Sequence, residues 1–140
     1  MSSQSEALMV ISLLKQRYGR SFHENEDPFF VLIFTVLSAR NRDSQTYKAA
    51  TALFKRFPTM KSLAAATTAE IEKTIKFIGL FRQKARRVKA ISRQLLQSHG
   101  GKVPDSMEEL LELPGVGRKT ASCVLNYAFN KPANAVDTHV

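Results

Sequence analysis

The chain has 140 residues, 44% of them hydrophobic, and 21 Lys and Arg against 12 Asp and Glu give it a formal net charge of +9 at pH 7. That hydrophobic content is enough for a folded core, which excludes a disordered tail, and the excess of cations suits a polyanionic partner such as nucleic acid. One cysteine, Cys123, excludes an intrachain disulfide and a metal site built from several cysteines. No apolar run approaches the roughly 18 residues of a membrane span and no secretory pattern opens the chain, so a cytoplasmic location is favoured.

The first third of the chain predicts two helices. Apolar residues recur at helical spacing from Ser5 to Tyr18, and Gly19 ends this first helix. A polar connector, Arg20 to Asp27, leads to Pro28, which opens a strongly apolar segment from Phe29 to Leu37. Its length and lack of turn residues fit a buried helix better than a strand, and we expect it to be the central helix of the core.

The middle of the chain continues in helices. Small and basic residues from Ser38 to Asp43 break the apolar run, and Asp43 is a candidate cap for the helix that follows. Thr67 and Glu70 form a capping box for a later helix. The predicted segments are Ser44–Phe57, Thr59–Ala66 and Thr67–Ile78, the last ended by Gly79.

The most basic helix begins after Leu80 and Phe81 and is stopped by Gly100 and Gly101. Four of its cations recur at spacings of three and four and so share one face, which we call the basic stripe. A solvated face and a phosphate-contacting face both explain this pattern, and the position of the stripe shortly before a glycine-rich turn makes phosphate contact plausible. The basic stripe consists of Arg82, Arg86, Lys89 and Arg93, and the expected core face of the same helix consists of Ala85, Val88, Ile91 and Leu95.

The glycine-rich turn, Leu113-Pro114-Gly115-Val116-Gly117, joins a short helix capped by Ser106 to a helix from Arg118 to Phe129. Gly115 and Gly117 carry no Cβ and tolerate positive φ, so the backbone N–H groups of the turn can approach another molecule closely. The unpaired N–H groups and the dipole at the start of the second helix favour an anion, most obviously phosphate. Lys119 lies in the first turn of that helix. An ordinary turn between helices with a solvated lysine is the alternative interpretation.

An isolated carboxylate, Asp137, follows the apolar pair Ala135-Val136 near the end of the sequence. Asp137 is a candidate N-cap for a helix that begins at Thr138.

Several of these segments, in the same order, resemble the endonuclease III family of base-excision DNA glycosylases. The stretch from Leu113 to Ala121 is similar to the helix-hairpin-helix of that family, and Ala135 to Val140 is similar to its catalytic aspartate segment. The 18-residue gap between Lys119 and Asp137 fits the same pattern. Ordered agreement over roughly residues 28–140 is far more specific than any single motif. The remaining similar segments are Ile75–Ala85 and Leu37–Ala39, the latter ahead of Asp43.

The resemblance implies a glycosylase with associated AP lyase activity that flips a damaged base, typically an oxidised pyrimidine, out of duplex DNA. Lys119 would attack C1′ of the sugar, expel the base and hold the sugar as a Schiff base, after which β-elimination cuts the strand on the 3′ side. Asp137 would stabilise the cationic sugar and help activate the nucleophile. We expect desolvation, Arg118 and the helix N-terminus to favour the neutral amine that this attack requires. The adenine-removing branch of the family typically lacks lysine at this position.

The resemblance also implies DNA contacts. Leu80 would be an inserting wedge, and Arg40 stands where bacterial members of the family carry glutamine, which leaves the contact to the orphan base and the lesion preference open. A monovalent cation could bind the backbone carbonyls of Leu111, Leu113 and Val116. The expected DNA-binding residues are Arg40, Leu80, Lys84, Gly115, Val116, Gly117, Arg118 and Thr120.

The expected fold is all-α: a helical barrel domain with a helix-hairpin-helix, and a second domain that is largely absent. Residues 1–20 would be a helix of that incomplete second domain, and residues 21–140 the barrel, with the hairpin at 113–117 and the catalytic segment at 135–140. The family commonly binds a [4Fe–4S] cluster through four cysteines. One cysteine cannot hold such a cluster, so we expect no cofactor in this chain and a cluster only in a longer parent protein. The apolar face of the first helix predicts either self-association or a rearrangement of this helix onto the barrel of its own chain.

Double-stranded DNA with a damaged base or an abasic site is therefore the expected partner, with no membrane and with a cytoplasmic, nucleoid-associated location. A non-enzymatic helix-hairpin-helix module that holds DNA without cutting it is the alternative from a different class, and an inactive fragment of the enzyme is another. The binding module needs only the glycines and the basic surface, and it gives no reason for Lys119 and Asp137 together.

Overall fold

The computed structural model describes residues 27–129 and Lys131. The predicted first helix at Ser5–Tyr18, its proposed role in self-association and the segment around Asp137 lie outside these described residues. Within them the chain consists of helices and turns with no strand, which confirms the all-α prediction. The α-helices are α1 Pro28–Ser38, α2 Asp43–Arg56, α3 Met60–Ala65, α4 Thr68–Ile75, α5 Phe81–Ser98, α6 Met107–Leu110 and α7 Arg118–Cys123, and a π-helical segment, Val124–Ala128, continues α7.

Helix α1 is the centre of the described fold, as its apolar sequence predicts. Pro28 occupies its first turn, and the Asp27 carboxylate caps it by accepting a hydrogen bond of 3.1 Å from the backbone N–H of Phe30. Seven of its eleven residues are buried. It packs against α2, α5, α7 and the π-helical segment, so one apolar helix holds the others in a single core.

The short helices owe their limits to capping side chains. Thr59 caps α3 together with Ser62, and Thr67 caps α4 through the predicted capping box with Glu70. Ser106 caps α6 by accepting a hydrogen bond of 3.2 Å from the backbone N–H of Glu109. These caps satisfy amide groups that helices of four to eight residues would otherwise leave unpaired.

Helix α5 is amphipathic in the predicted register. Its core face is fully buried against α3, α4 and α1, and consists of Ala85, Val88, Ile91 and Leu95. At its end Gly100 and Gly101 take positive φ, and the N–H of Gly101 donates a hydrogen bond of 2.9 Å to the carbonyl of Leu95. The glycine stop predicted from the sequence is confirmed.

Two predicted helix limits were wrong. Helix α2 begins at Asp43 itself, with Arg42 at the N-cap and no side-chain cap, so Asp43 is the first helical residue and not the capping one. Helix α4 ends at Ile75, four residues before Gly79, and the chain reverses in a turn in which the positive φ belongs to Leu80 and not to the glycine.

The helix predicted from Arg118 to Phe129 is present, but its second half is π-helical from Val124 to Ala128. A π-helix inserts one extra residue per turn, and composition gives no signal for it. None of the helices in the described part of the chain is long and apolar enough to cross a membrane.

Candidate nucleic-acid interface

The hairpin between α6 and α7 is formed by a tight turn around Gly115. Gly115 has φ of 74°, a conformation that L side chains rarely adopt, and the N–H of Val116 donates a hydrogen bond of 3.2 Å to the carbonyl of Leu113. Gly117 is extended, with φ of −104°, and forms the N-cap of α7 without any side-chain cap. The positive φ that the sequence allowed for both glycines is thus needed at Gly115 alone.

The two glycines also differ in the space around them. A Cβ built on Gly115 would lie 2.6 Å from Cδ and 2.7 Å from Nε of Arg87, whose stem runs beneath the turn. A Cβ built on Gly117 would meet no atom within 4 Å. The chain itself therefore requires glycine at position 115, whereas the absent side chain at 117 leaves open space in front of the backbone, where an external molecule can approach.

Lys119 lies in the first turn of α7, two residues after this open position. Its side chain is exposed, as are the side chain of Arg118 and the backbone of Gly117, while Thr120 is half-buried and Val116 is buried. The desolvation that we expected around Lys119 is therefore not supplied by the described residues. Cys123, one turn further on, is inert as a nucleophile because burial raises the pKa of its thiol to about 11, against the smaller and opposite effect of the Lys119 charge.

The burial of Lys84 was not expected from the sequence. Its side chain is 1% exposed, and its Nζ has no hydrogen-bond partner in the described structure. Burial, and secondarily the charge of Arg87, lower the pKa of Lys84 from 10.5 to about 8. This conformation places the Lys84 ammonium in the interior, on the same side of α5 as the core residue Val88, and the DNA contact expected of Lys84 stays a prediction.

Arg40 and Leu80 share an unusual backbone geometry. They are the only described residues other than glycine with positive φ, at 54° and 56° respectively. Such a conformation costs a bulky side chain on the order of 1–3 kcal/mol and is typical of functional sites. Both side chains are exposed, Leu80 by 47%. Two of the residues that the resemblance implies as DNA contacts are thus the two non-glycine residues with positive φ in the described part of the chain.

The turns that carry Arg40 and Leu80 are joined by Asn41. Its Oδ1 accepts a hydrogen bond of 3.3 Å from the N–H of Gly79, and its Nδ2 donates one of 3.1 Å to Oγ1 of Thr46 in α2. Neither Asn41 nor Arg87 stands out in the sequence. An amide beside Arg40 in a predicted turn was the one available signal for Asn41, and nothing in the spacing of α5 distinguishes Arg87 from its neighbours.

The basic stripe of α5 divides into two groups. The ammonium of Lys89 donates hydrogen bonds to the carbonyls of Ala64 (2.8 Å) and Ala66 (2.5 Å), so this residue satisfies the C-terminal end of α3. The other three members, Arg82, Arg86 and Arg93, are exposed. Lys89 therefore has a structural role that a uniform charged stripe did not predict.

Helix α5 connects the hairpin to the strained turns, which are the two turns that carry Arg40 and Leu80. Leu80 is the N-cap of that helix, and Arg87, seven residues later, touches Gly115. At 1.5 Å per residue, seven residues of helix span roughly 10 Å. Asp137 lies outside the described residues, so its distance from Lys119 stays a prediction.

Two expectations concern a metal or cofactor, an iron–sulfur cluster and a monovalent cation. The residues present do not fit a [4Fe–4S] cluster, because the sequence holds one cysteine and the described part of the chain contains no group of three or more possible metal ligands from His, Cys, Asp and Glu. The cation site on the carbonyls of Leu111, Leu113 and Val116 stays a prediction. The carbonyl of Leu113 already accepts the N–H of Val116, which leaves one lone pair of that oxygen for a cation.

Comparison with known families agrees with this geometry. Residues 33–140 match the family described as HhH-GPD superfamily base excision DNA repair protein, and the chain belongs to this family. Among individual proteins, it is 54% identical over 125 residues to endonuclease III of Thermotoga maritima, an alignment that covers 89% of this chain and 58% of that protein. It is 39% identical over 116 residues to endonuclease III of Bacillus subtilis, covering 83% of this chain and 53% of that protein.

Solved structures give the same result. A non-covalent endonuclease III–DNA complex matches with a TM-score of 0.75 and 37% identity, and covers 100% of this chain and 66% of that chain. A trapped endonuclease III–DNA covalent intermediate matches with a TM-score of 0.75 and 36% identity, covering 99% of this chain and 66% of that one. The helical fold and the family resemblance drawn from the sequence are thereby confirmed. The chain spans between about half and two thirds of the length of these relatives.

Proposed function

We propose that this chain acts in base-excision repair as a DNA glycosylase with associated AP lyase activity, removing oxidised pyrimidines from double-stranded DNA in the nucleoid. The observation that carries the proposal is the position of Lys119. It is an exposed amine in the first turn of α7, two residues after the open approach at Gly117, in a chain that is 54% identical over 125 residues to an endonuclease III. A rigid helix thus holds a nucleophile beside the place where a phosphate would bind.

The chemistry follows from the amine. The Lys119 nitrogen attacks C1′ of the flipped nucleotide, the bond from C1′ to the base breaks, and the base departs with the electron pair and takes up a proton. Loss of a proton from the nitrogen and opening of the sugar ring give a Schiff base. The imine acidifies the C2′ proton, and its removal expels the 3′ phosphate by β-elimination. Hydrolysis of the imine returns the free amine.

Asp137 would balance the positive charge that develops on the sugar during base removal and help to activate Lys119. A carboxylate in a groove from which DNA has excluded water stabilises such a charge far more than it would in bulk solvent. Its second role would be to cap a helix that starts at Thr138. The two roles are compatible, because capping the helix would hold the carboxylate in place at the mouth of the groove.

The DNA would lie across the hairpin and the strained turns together. The hairpin N–H groups would bind backbone phosphates, with Arg118 and Thr120 beside them, while Arg40 and Leu80 would enter the duplex where the damaged base has left it. The roughly 10 Å of α5 between Leu80 and Arg87 corresponds to about three base-pair steps, so one lesion site can engage both regions.

Separate assays for base release and strand cleavage test the proposal. On a duplex with one oxidised pyrimidine, the unmodified chain should release the base and leave a β-elimination product, whereas Lys119→Gln should do neither. DNA affinity of the variant should stay within a few-fold, since only one cation among many is removed. Cleavage that survives in Lys119→Gln would move the nucleophile elsewhere. An unmodified chain that binds duplex DNA and neither releases the base nor cuts would support a non-enzymatic binding module or an inactive fragment of the enzyme.

A further inference from the structure

The turn between α4 and α5 exposes two large apolar side chains. Phe77 is 49% exposed and Leu80 is 47% exposed, whereas Ile78 between them is buried at 3% and anchors the turn in the core. A turn that presents two bulky apolar groups to water while a third holds it in place is typical of a contact surface. Phe77 has no role in the site as derived so far.

The surroundings of these side chains indicate the chemistry of the partner. Residues 39–42 and 76–82 contain no acidic residue, and the exposed cations among them are Arg40, Arg42, Lys76 and Arg82. The Arg82 guanidinium lies 5.1 Å from the ring centroid of Phe81. Exposed aromatic and aliphatic groups set among cations suit nucleic acid, whose bases and sugars offer apolar faces next to phosphates.

The two turns are held as one unit. Asn41 links Gly79 to Thr46, and the Thr46 hydroxyl, fully buried, donates in turn a hydrogen bond of 3.0 Å to the carbonyl of Arg42. A Cβ on Gly79 would lie 3.7 Å from the carbonyl oxygen of Arg40, so the backbones of the two turns are already in contact. Both strained residues, Arg40 and Leu80, are thereby fixed relative to α2.

We propose that residues 39–42 and 76–80 form one DNA-contacting unit, the paired turns, in which Asn41 is a positioning residue and Phe77 makes an apolar contact to DNA in addition to Leu80. This inference rests on the proposed function, because it requires that DNA is the partner at Leu80. Asn41 touches no substrate. It holds Phe77 and Leu80 at the height and angle at which they meet an opened base stack.

The test compares affinities for two duplexes, one undamaged and one with a stable abasic-site analogue. Contacts to backbone phosphates contribute to both, whereas apolar contacts made where the stack is open favour the abasic duplex. The readout is the ratio of the two affinities, in which general effects on charge or folded fraction cancel. Phe77→Ala should lower this ratio about fivefold, and Asn41→Ala should lower it by a similar factor while undamaged-duplex affinity stays within about twofold.

Two further variants separate positioning from folding. Asn41→Asp keeps an oxygen for the Gly79 N–H, and the Thr46 hydroxyl can turn from the Arg42 carbonyl to donate to the new carboxylate in place of the lost Nδ2–H bond. The variant should therefore keep the ratio near that of the unmodified chain even though its added charge weakens binding to both duplexes. The double variant Asn41→Ala with Phe77→Ala should show a smaller reduction than the product of the single effects, because Asn41 acts partly through Phe77. A fluorescent base beside the abasic site should show reduced unstacking in both single variants.

Each outcome is decisive. If the unmodified chain does not prefer the abasic duplex, the proposed function fails and this inference fails with it. If the preference is present but unchanged by Phe77→Ala and Asn41→Ala, the proposed function stands and the inference is overturned. A reduced preference with Phe77→Ala and an unchanged one with Asn41→Ala would retain the apolar role of Phe77 and overturn the positioning role of Asn41.

Discussion

Gly115 and Gly117 lack a side chain for different reasons, and alanine at each position separates them. Gly115→Ala should lower the free energy of unfolding by about 1–3 kcal/mol, because its positive φ strains any L residue and the new Cβ would meet Arg87. Gly117→Ala should leave thermal stability unchanged or slightly raised, since φ of −104° suits alanine and nothing lies within 4 Å. DNA affinity should nevertheless fall in Gly117→Ala. Thermal melts and binding titrations of the pair check both statements.

Undiminished DNA affinity in Gly117→Ala would show that DNA does not approach the backbone closely at this residue. Because the variant is expected to fold normally, such a result could not be attributed to a damaged hairpin. Gly115→Ala serves as the control in which stability and affinity fall together.

Lys84 is expected to destabilise the fold at neutral pH. Its pKa falls from 10.5 to about 8, so below pH 8 the folded chain carries a buried ammonium at a cost on the order of 2–3 kcal/mol. Between about pH 8 and 10.5 the folded form releases a proton that the unfolded form retains, and stability from this group rises with pH. Lys84→Met should therefore be more stable than the unmodified chain at pH 7, with a difference that shrinks as pH approaches 10.5.

Denaturant titrations at pH 7 and pH 10 measure this difference, with the exposed Lys73→Met as the matched control that should show none. Lower stability of Lys84→Met at pH 7, together with weaker DNA binding, would contradict this expectation. It would mean that the ammonium meets an anion, and it would support the DNA contact predicted from the sequence.

At the scale of elements, one face of α5 packs in the core and another faces the proposed DNA surface. We therefore expect the members of its basic stripe to have different roles. Lys89→Met should lower stability by about 1–2 kcal/mol, because the C-terminal end of α3 would no longer receive its two hydrogen bonds from the ammonium. Replacing Arg82, Arg86 and Arg93 with Gln should leave stability nearly unchanged. It should flatten the dependence of log affinity on log salt by up to about 0.9 for each of these arginines that binds a phosphate.

Salt titrations of DNA binding provide the measurement. A salt-dependence slope that is unchanged in the triple variant would indicate that these arginines form a solvated face and bind no phosphate. One helical face cannot follow a duplex over its whole length, so we expect a partial reduction of the slope and not the full effect of three phosphate-binding arginines.

The helices could be predicted because periodicity and caps are local properties. The apolar run after Pro28, the capping box at Thr67 and Glu70, and the glycine stop at Gly101 all depend on neighbours within a few residues, and all are confirmed. The end of α4 was predicted wrongly because residues far away in the sequence contact the turn that follows it. Residues 76–80 pack against residues 39–42, and the residue with positive φ in this turn is Leu80, which no local pattern predicts.

The candidate site shows the same division. Lys119 and the hairpin glycines are recognisable because their spacing is contiguous. The burial of Lys84, the support of Gly115 by Arg87 and the link made by Asn41 each join segments that lie far apart in sequence. Tertiary packing determined these features, and periodicity on α5 could not distinguish a buried lysine from an exposed one.

For the molecule as a whole, the central helix α1 carries α2, α5 and α7, so the paired turns and the hairpin are presented by one rigid core. A substitution at Asp137 is predicted to separate the two chemical steps. Asp137→Asn should slow base removal more than cleavage of a pre-formed abasic site, since base removal alone must generate the sugar cation. Parallel assays on the two substrates provide the comparison. Equal slowing of both would argue that Asp137 only caps a helix.

The central claim is that Lys119 forms a covalent intermediate with DNA, and borohydride trapping on abasic-site duplex tests it most directly. Reduction converts a Schiff base into a stable amine, so the unmodified chain should yield a crosslinked species whose modified peptide, located by mass spectrometry, contains Lys119. Lys119→Gln should give no crosslink while binding the same duplex, and Lys73→Gln, an exposed lysine of α4, should trap normally. Absence of trapping in the unmodified chain at saturating DNA, or a crosslink that maps to another residue, would contradict the claim.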